Sequence, residues 1–310
     1  MSDKNATKVI NFVNNLLIGK DQITKLSVVT LLAQGHLLLE DVPGVGKTTL
    51  ANSIAKAIDC EFSRIQFTPD TLPSDVTGMS IYNPKLCEFV FVKGAVMSNI
   101  ILADEINRTS PKTQASLLEA MEEKQVTVDS QTYKLEKPFM VIATQNPSDF
   151  LGTYNLPEAQ LDRFMMRLSI GYPEAADEAV LTRNYLAGVF SKITESAVSK
   201  EELLKMQDDV KEVTINDDVL AYIISIVNQT RESKSIQLGA SPRATIALTR
   251  ACQALAFIMG RNYVIPDDVK ELAVPVLSHR LVASVEAKVN GTTAQEILEK
   301  IVKKTPVPVL

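Results

Sequence analysis

The feature that most constrains this chain is a glycine-rich loop at residues 41–49. The loop follows three consecutive leucines at residues 37–39, which are typical of a short buried strand. After the loop, Leu50, Ile54 and Ile58 recur at helical spacing with no proline between them. A strand, a tight loop and a helix in this order form the context of a Walker A motif. The sequence therefore predicts a phosphate site between a strand and a helix.

The residue types within the loop suit a nucleoside triphosphate such as ATP. Gly44 and Gly46 have no Cβ, so backbone N–H groups can approach an anion closely. Lys47 can neutralise the β- and γ-phosphates, and Thr48 can offer a hydroxyl to Mg²⁺. Asp41 stands where the motif usually has its first glycine, and the alternative interpretation is an ordinary glycine turn before a helix. The predicted phosphate-binding residues are Pro43, Gly44, Val45, Gly46, Lys47, Thr48 and Thr49.

The remaining pattern predicts an α/β core followed by a smaller helical domain. Apolar segments alternate with helical patterns up to residue 171, which favours a mostly parallel five-stranded sheet between helices. Beyond that point only helical patterns are evident, so we predict an α/β domain at 1–171 and an all-helical domain at 172–310. The predicted strands are residues 37–39, 62–67, 100–103, 139–144 and 167–170, and hairpins are predicted at 78–93 and 125–135.

Two carboxylates end the third predicted strand. Residues 100–103 are apolar, and Asp104 and Glu105 follow them directly. The carboxyl ends of parallel strands form the edge where ligands bind. Asp104 is then placed to hold Mg²⁺ and Glu105 to polarise a water for attack on the γ-phosphate. A solvated acidic turn is the alternative, but the upstream Walker A motif favours catalysis.

Three further polar residues are candidates for the same chemistry. Asn146 follows the strand at 139–144 and could orient the attacking water, although an asparagine before a proline is also common in turns. Arg163 follows a Pro-Glu-Ala segment, and Arg243 lies at the start of a predicted helix, where a cation opposes the dipole. Arg243 therefore suggests an anionic partner, but from the residues alone a surface ion pair is the favoured interpretation for both arginines.

Composition limits the class of partner and the compartment. The chain has 32 basic and 37 acidic residues, a net charge of −5, and 5% aromatic residues. A nucleic-acid footprint is therefore not expected. Three cysteines without CxxC spacing favour a reducing compartment. The polar amino terminus and the short apolar runs predict neither a signal peptide nor a membrane span, so we expect a cytoplasmic protein.

The motifs, in this order, resemble those of the AAA+ ATPases, and their amino-acid sequences are similar to those of the MoxR family. The resemblance extends from about residue 19 to residue 281. Ala95 and Met97 depart from the proline and aromatic expected there, and Ser130 replaces a turn glycine. The residues that carry the resemblance are 35–44, 64–70, 103–108, 143–147 and 156–164 in the core, with 239–243 and 260–264 in the helical part.

The resemblance implies an AAA+ P-loop core with a helical lid, assembled as a hexameric ring with ATP and Mg²⁺ at subunit boundaries. It assigns sensor 1 to Asn146 and catalytic water activation to Glu105. It makes Arg163 the arginine finger and Arg243 the sensor 2 of the lid. Arg167 and Glu158, close in sequence to Arg163, leave the finger assignment open.

Three functional hypotheses follow. The first is an ATP-driven remodeller that acts on another protein or inserts a metal cofactor, as family members that work with von Willebrand factor A domain proteins do. The second is a nucleic-acid motor, which the acidic net charge disfavours. The third is a nucleotide-gated binding module, which has no need for the positioned base Glu105.

Overall fold

The computed structural model describes residues 2–146, 153–190 and 195–308. The segments predicted from the apolar pattern form a single parallel sheet, with strand order β2-β5-β8-β1-β9. The strands in chain order are β1 (Leu37–Glu40), β2 (Phe62–Gln66), β3 (Gly78–Asn83), β4 (Glu88–Lys93), β5 (Ile100–Asp104), β6 (Gln125–Val128), β7 (Gln131–Lys134), β8 (Met140–Gln145), β9 (Met166–Leu168), β10 (Ile236–Leu238) and β11 (Val282–Ala283). The prediction of a five-stranded parallel sheet is confirmed.

Both faces of this sheet are covered, which explains why its strands are apolar runs rather than alternating patterns. Leu37 and Leu39 face one core, and Leu38 faces the other. Neighbouring strands follow the same alternation: Leu102 lies in the first core, and Ala103 in the second. The sheet therefore holds the carboxyl ends of β1, β5 and β8 at one edge.

The helices surround the sheet and continue into the carboxyl-terminal part. No helix among the described residues is both long and apolar enough to cross a membrane. The helices are α1 (Ser2–Leu16), α2 (Asp21–Leu32), α3 (Lys47–Ala57), α4 (Pro73–Thr77), α5 (Pro111–Glu123), α6 (Glu158–Leu161), α7 (Ala175–Leu186), α8 (Lys200–Lys211), α9 (Asp217–Glu232), α10 (Pro242–Ile258), α11 (Pro266–Leu277), α12 (Val285–Val289) and α13 (Ala294–Lys304).

Both predicted hairpins are present. Strands β3 and β4 pair antiparallel, and so do β6 and β7, in which Val126 lies opposite Tyr133. Ser130 adopts a φ of +66°, so the turn takes the left-handed conformation without the usual glycine. Phe91 of the first hairpin stacks on Tyr133 of the second, with ring centroids 4.0 Å apart. The two hairpins therefore support each other.

The carboxyl-terminal part is helical, as predicted, with one small correction. Strands β10 and β11 form a two-stranded antiparallel sheet within it, so this part is not entirely helical. Each strand has only two or three residues, too few for an alternating pattern to stand out in the sequence. The division of the chain at residue 171 remains a prediction, because the same apolar core includes Leu39 of the sheet and Leu248 of α10.

His36 makes the packing at the amino end of β1 sensitive to acid. Its Nδ1 accepts a hydrogen bond from the Val141 N–H at 3.0 Å, and its Nε2 lies 3.2 Å from the Met121 carbonyl oxygen. These contacts suit the neutral ring protonated on Nε2. Burial lowers the pKa of His36 from 6.5 to about 4. The folded state therefore binds this proton less readily than the unfolded state.

We expect stability to fall between pH 6.5 and about 4 as the unfolded state gains the proton first. A group with a depressed folded pKa contributes its full stability above its unfolded pKa and loses it below. The loss from His36 should approach roughly 3 kcal/mol. Urea unfolding across this pH range should show a shallower pH slope for His36→Gln than for the wild type. Identical slopes would contradict this account.

Candidate active site

The loop between β1 and α3 has the backbone conformation that the glycine pattern predicts. Gly44 and Gly46 adopt φ values of +86° and +102°, which L side chains rarely tolerate. Helix α3 begins at Lys47, so its free N–H groups point into the loop. The Lys47 ammonium donates to the Asp41 carbonyl oxygen at 2.7 Å, and Thr48 is exposed. The loop can therefore present backbone N–H groups, an ammonium and a hydroxyl to a phosphate.

The structure explains why aspartate replaces the first glycine of the motif. Asp41 is only 7% exposed, and its carboxylate accepts hydrogen bonds from three groups at the end of β9. These donors are the Ser169 hydroxyl at 2.9 Å, the Ile170 N–H, and the Gly171 N–H at 3.2 Å. Asp41 therefore anchors the start of the phosphate loop to the strand beside it.

We expect Asp41→Ala to lower the free energy of unfolding by roughly 2–3 kcal/mol, because it leaves the buried Ile170 N–H without its acceptor. Asp41→Gly, which restores the usual glycine, should also destabilise the protein. Urea unfolding measures both effects. The matched control is Asp208→Ala, since Asp208 forms only an exposed surface pair with Lys211, and its curve should overlay the wild type. A stable Asp41→Gly variant would refute the anchoring role.

A cavity of about 640 Å³ opens beside the phosphate loop. Its size suits a nucleotide. One wall is formed by Gly44, Gly46 and Thr48 of the loop, and the remaining walls are largely apolar. A planar base can therefore be held against apolar side chains while its phosphates reach the loop. The apolar lining includes Leu16, Leu17, Ile18, Tyr172, Leu181, Tyr185 and Phe190.

Asp104 ends β5 next to this loop. Its Oδ1 accepts a hydrogen bond from the Thr144 hydroxyl at 2.7 Å, and its Oδ2 lies 2.6 Å from a guanidinium nitrogen of Arg64. Thr144 is fully buried at the neighbouring position in β8. The threonine therefore fixes the orientation of the carboxylate, while Arg64 occupies the oxygen that faces outward.

Glu105 follows Asp104 in an unusual backbone conformation. Its φ of +57° lies in the left-handed region, which is strained for a side chain and is often found at functional sites. The Glu105 N–H donates to the Thr144 hydroxyl at 2.9 Å, so one buried side chain holds both acidic residues. The Glu105 carboxylate accepts from the Gln66 amide at 2.8 Å and pairs with Arg108 at 3.4 Å. The two carboxylates can therefore take separate tasks.

The fold brings these predicted residues to one edge of the sheet. Burial lowers the pKa of Lys47, and the nearby carboxylates of Asp104, Asp41 and Glu105 oppose that change. Asn146 follows β8 directly and is buried; Gln145 pairs with the last residue of β1. The adjoining Pro147, part of the predicted sensor segment, lies outside the described residues.

The two predicted arginines meet at one glutamate. Arg163 Nε lies 2.9 Å from one oxygen of Glu122, and a terminal nitrogen of Arg243 lies 2.5 Å from the other. The hydrogen bond from Arg243 is the largest cause of the lowered pKa of Glu122, and Arg163 adds to it. A cavity of about 240 Å³ beside these residues is also lined by Arg250 and Arg280. This region carries a surplus of positive charge.

The arginines lie near the amino ends of the sheet strands, whereas the phosphate loop lies at their carboxyl ends. Leu37, the first residue of β1, pairs with Met166, and the preceding Met165 N–H donates to the His36 carbonyl oxygen at 2.8 Å. Arg163 therefore comes before the amino end of β9. Since β1 extends over about 10 Å, its length separates Arg163 from the loop at residues 41–49.

Several residues at these two ends of the strands were not predicted from the sequence. Arg64 and Gln66 alternate at the end of β2, so their side chains share a face, and that spacing was an available signal. The sequence pattern places Thr144 at the end of a strand but does not indicate its contact with Asp104. Glu122 and Arg280 gave no local signal, because their partners lie far away in sequence.

Comparison with known proteins agrees with this geometry. The profile of the ATPase family associated with various cellular activities (AAA) matches residues 36–166, and that of the AAA lid domain matches residues 228–301. The crystal structure of a candidate ATPase from Cytophaga hutchinsonii superimposes with a TM-score of 0.93 at 40% identity, covering 99% of this chain and 96% of that one. The predicted sheet and the helical lid are thus features of a known ATPase fold.

Two relatives extend the similarity over nearly the full length. The uncharacterized protein YeaC of Bacillus subtilis is 50% identical over 302 residues, which cover 97% of this chain and 94% of that protein. Chaperone MoxR1 of Mycobacterium tuberculosis is 37% identical over 305 residues, which cover 96% of this chain and 80% of that protein. The chain therefore belongs to the MoxR family of AAA+ ATPases, and its activity is ATP hydrolysis.

Proposed function

We propose that this ATPase works as a homo-oligomeric ring, a hexamer, in which each ATP lies at a boundary between subunits. We further propose that turnover of ATP remodels or activates a partner protein. The observation that carries the proposal is the separation of Arg163 and Arg243 from the phosphate loop of their own chain. Arginines that complete the site of hydrolysis must then come from a neighbour.

Within one chain, the residues after β1 and β5 would bind the phosphates and the metal ion. Lys47, the loop N–H groups and Thr49 would hold the phosphates, and Thr48 and Asp104 would hold Mg²⁺. A hydroxyl and a carboxylate fit this ion, which prefers oxygen ligands, and Thr48 is exposed. When bound, Mg²⁺ neutralises the β- and γ-phosphate oxygens and orients them for displacement. Asp104 can serve this role only after Arg64 releases its outward oxygen.

Glu105 would act on the attacking water. Thr144 holds the Asp104 carboxylate but contacts only the N–H of Glu105, so the Glu105 carboxylate can turn to the water and accept its proton. Gln66 and Arg108 engage that carboxylate and must yield to the water. Asn146, beside the loop at the end of β8, would orient the same water or contact the γ-phosphate.

Arg163 and Arg243 would stabilise the charge that develops on the γ-phosphate of the neighbouring site. A positively charged group supplied by another subunit acts in this way in other NTPases. Arg167, the alternative finger, is less suitable because its guanidinium pairs with Glu40 at 3.1 Å within the sheet. Glu122 holds both proposed arginines, so the incoming phosphates must displace its carboxylate. Hydrolysis would thereby depend on the arrangement of adjacent subunits.

The relative named chaperone MoxR1 supports a protein as the substrate. We propose that the partner is a cytoplasmic protein, and that a von Willebrand factor A domain protein or a metalloprotein awaiting its metal is the finer candidate. We also propose that residues 1–171 and 172–310 form the two domains whose relative motion transmits turnover to the partner.

Affinity capture from the native host tests the remodelling proposal. Glu105→Gln should retain ATP and hold the partner, whereas Lys47→Ala should lose ATP and the partner together. Recovery of a protein with the first variant and not with the second is the expected result. Equal recovery with both variants would contradict ATP-gated remodelling. Turnover stimulated by DNA, with no protein partner, would favour a nucleic-acid motor instead.

A further inference from the structure

A buried arginine in the carboxyl-terminal part holds the segment that bears Arg163. One terminal nitrogen of Arg280 donates to the carbonyl oxygens of Asp162 at 3.2 Å and of Phe164 at 2.7 Å. Arg280 Nε also lies 3.3 Å from the Asp162 carboxylate. His279 contacts the same Phe164 carbonyl oxygen at 3.0 Å. Arg280 therefore binds the backbone on both sides of Arg163.

A second contact connects this segment to Arg243. The Ser241 hydroxyl donates to the Asp162 carboxylate at 3.0 Å. The same hydroxyl accepts from the Ala244 N–H and caps α10, whose first turn contains Arg243. Asp162 is therefore bound from two places in the carboxyl-terminal part, by Ser241 and by Arg280. The segments that carry the two proposed trans-acting arginines share this anchor.

Stability alone does not account for Arg280. It is only 5% exposed, and burial lowers its pKa to about 10, so it still carries its charge at neutral pH. Among the described residues, its Nη1 has no hydrogen-bond partner. A buried charge that is incompletely paired is often less favourable than an apolar side chain of similar volume. Its contacts around Arg163 offer a functional reason for its presence.

We infer that Arg280 is a positioning residue, which fixes Arg163 to the carboxyl-terminal part so that Arg163 and Arg243 reach a neighbour's phosphates as one unit. This inference rests on the proposed function, in which both arginines act on the adjacent subunit. Its consequence is specific. Loss of Arg280 should impair the site of the neighbour and leave the nucleotide site of its own chain intact.

The test is a mixture of variant subunits. Arg280→Gln alone should lower kcat by about 10²-fold, since misplacing a catalytic group by about 1 Å has that effect, while its own affinity for a fluorescent ATP analogue stays unchanged. Mixed with Glu105→Gln, which supplies intact arginines, it should regain activity. A Glu105→Gln/Arg163→Ala partner should not restore it. Arg261→Gln is the matched control: Arg261 pairs with Asp268 at 2.6 Å, away from Arg163, and its turnover should stay near the wild type.

Arg280→Lys tests whether turnover depends on the position that Arg280 imposes or only on its charge. It also replaces Arg280→Gln in the experiment if that variant misfolds and loses ATP binding. Lysine keeps the charge, but its single ammonium cannot replace both the terminal nitrogen that binds the two carbonyl oxygens and the Nε that faces the Asp162 carboxylate. Wild-type turnover in Arg280→Lys would therefore overturn the inference. If Arg163→Ala is restored by Glu105→Gln but the Arg280 variants are not, the inference fails and the proposed function stands. If Glu105→Gln restores neither Arg163→Ala nor the Arg280 variants, the proposal that the arginines act between subunits is wrong, and this inference is wrong with it.

Discussion

Replacement of Glu105 by glutamine should lower ATP turnover by about 10³-fold while ATP remains bound, because the amide cannot accept the proton of the attacking water. Glutamine keeps the size of the side chain and can still contact Arg108 through its carbonyl oxygen. The Glu105 N–H still donates to the Thr144 hydroxyl in this variant, because that contact involves the backbone and not the altered side chain. Single-turnover hydrolysis and binding of a fluorescent ATP analogue measure the two parts of this prediction separately.

The matched control is Glu119→Gln on α5. Glu119 is exposed, and the same change of charge there should leave kcat and ATP affinity at wild-type values. Turnover of Glu105→Gln near the wild-type rate would remove Glu105 from the chemistry. Loss of ATP binding in that variant would instead indicate that Glu105 supports the nucleotide site rather than the attacking water.

Arg163→Ala should lower kcat by about 10³-fold with no change in the affinity of its own site for ATP. The cause is the loss of a positive charge at the transition state of the neighbouring site. Mixing the wild type with the double variant Arg163→Ala/Glu105→Gln tests this cause. Each double-variant subunit disables its own site and a site on the chain beside it, so activity should fall with the square of the wild-type fraction. The rate of hydrolysis is measured as the proportion of variant increases at constant total protein.

Arg261→Ala is the control for Arg163→Ala, since Arg261 pairs with Asp268 inside the carboxyl-terminal part. It should neither lower turnover greatly nor inhibit wild-type subunits. A fall of activity in direct proportion to the wild-type fraction, on mixing the double variant with the wild type, would contradict action between subunits. A weaker affinity for ATP in Arg163→Ala would place the arginine at the site of its own chain.

The residues at the carboxyl edge of the sheet were predictable because each follows a local pattern. Lys47 and Thr48 follow a leucine strand and two glycines, and Asp104 and Glu105 end an apolar run. Periodicity and turn chemistry are properties of neighbouring residues, so the sequence displays them directly. The sequence shows that Asp41 replaces the first glycine of the Walker A motif. Only the fold shows the three groups at the end of β9 that donate hydrogen bonds to its carboxylate.

The residues near the amino ends of the sheet strands were less predictable, because their contacts join distant parts of the chain. Glu122 lies on α5, yet it binds Arg163 and Arg243, which belong to different segments. Arg280 follows the end of α11, and nothing in its local sequence indicates that it binds the backbone around Arg163. The separation of the arginines from their own phosphate loop follows from strand register, which the sequence pattern does not specify.

The most direct test of the account is whether two inactive variants restore each other's activity. Glu105→Gln subunits retain both proposed trans-acting arginines, and Arg163→Ala subunits retain Glu105, the proposed water-activating residue. Mixed in equal amounts before ring assembly, they should recover about a quarter of the wild-type rate, the share of boundaries that join both intact parts. A mixture that stays as inactive as its components would contradict an active site shared between neighbouring subunits.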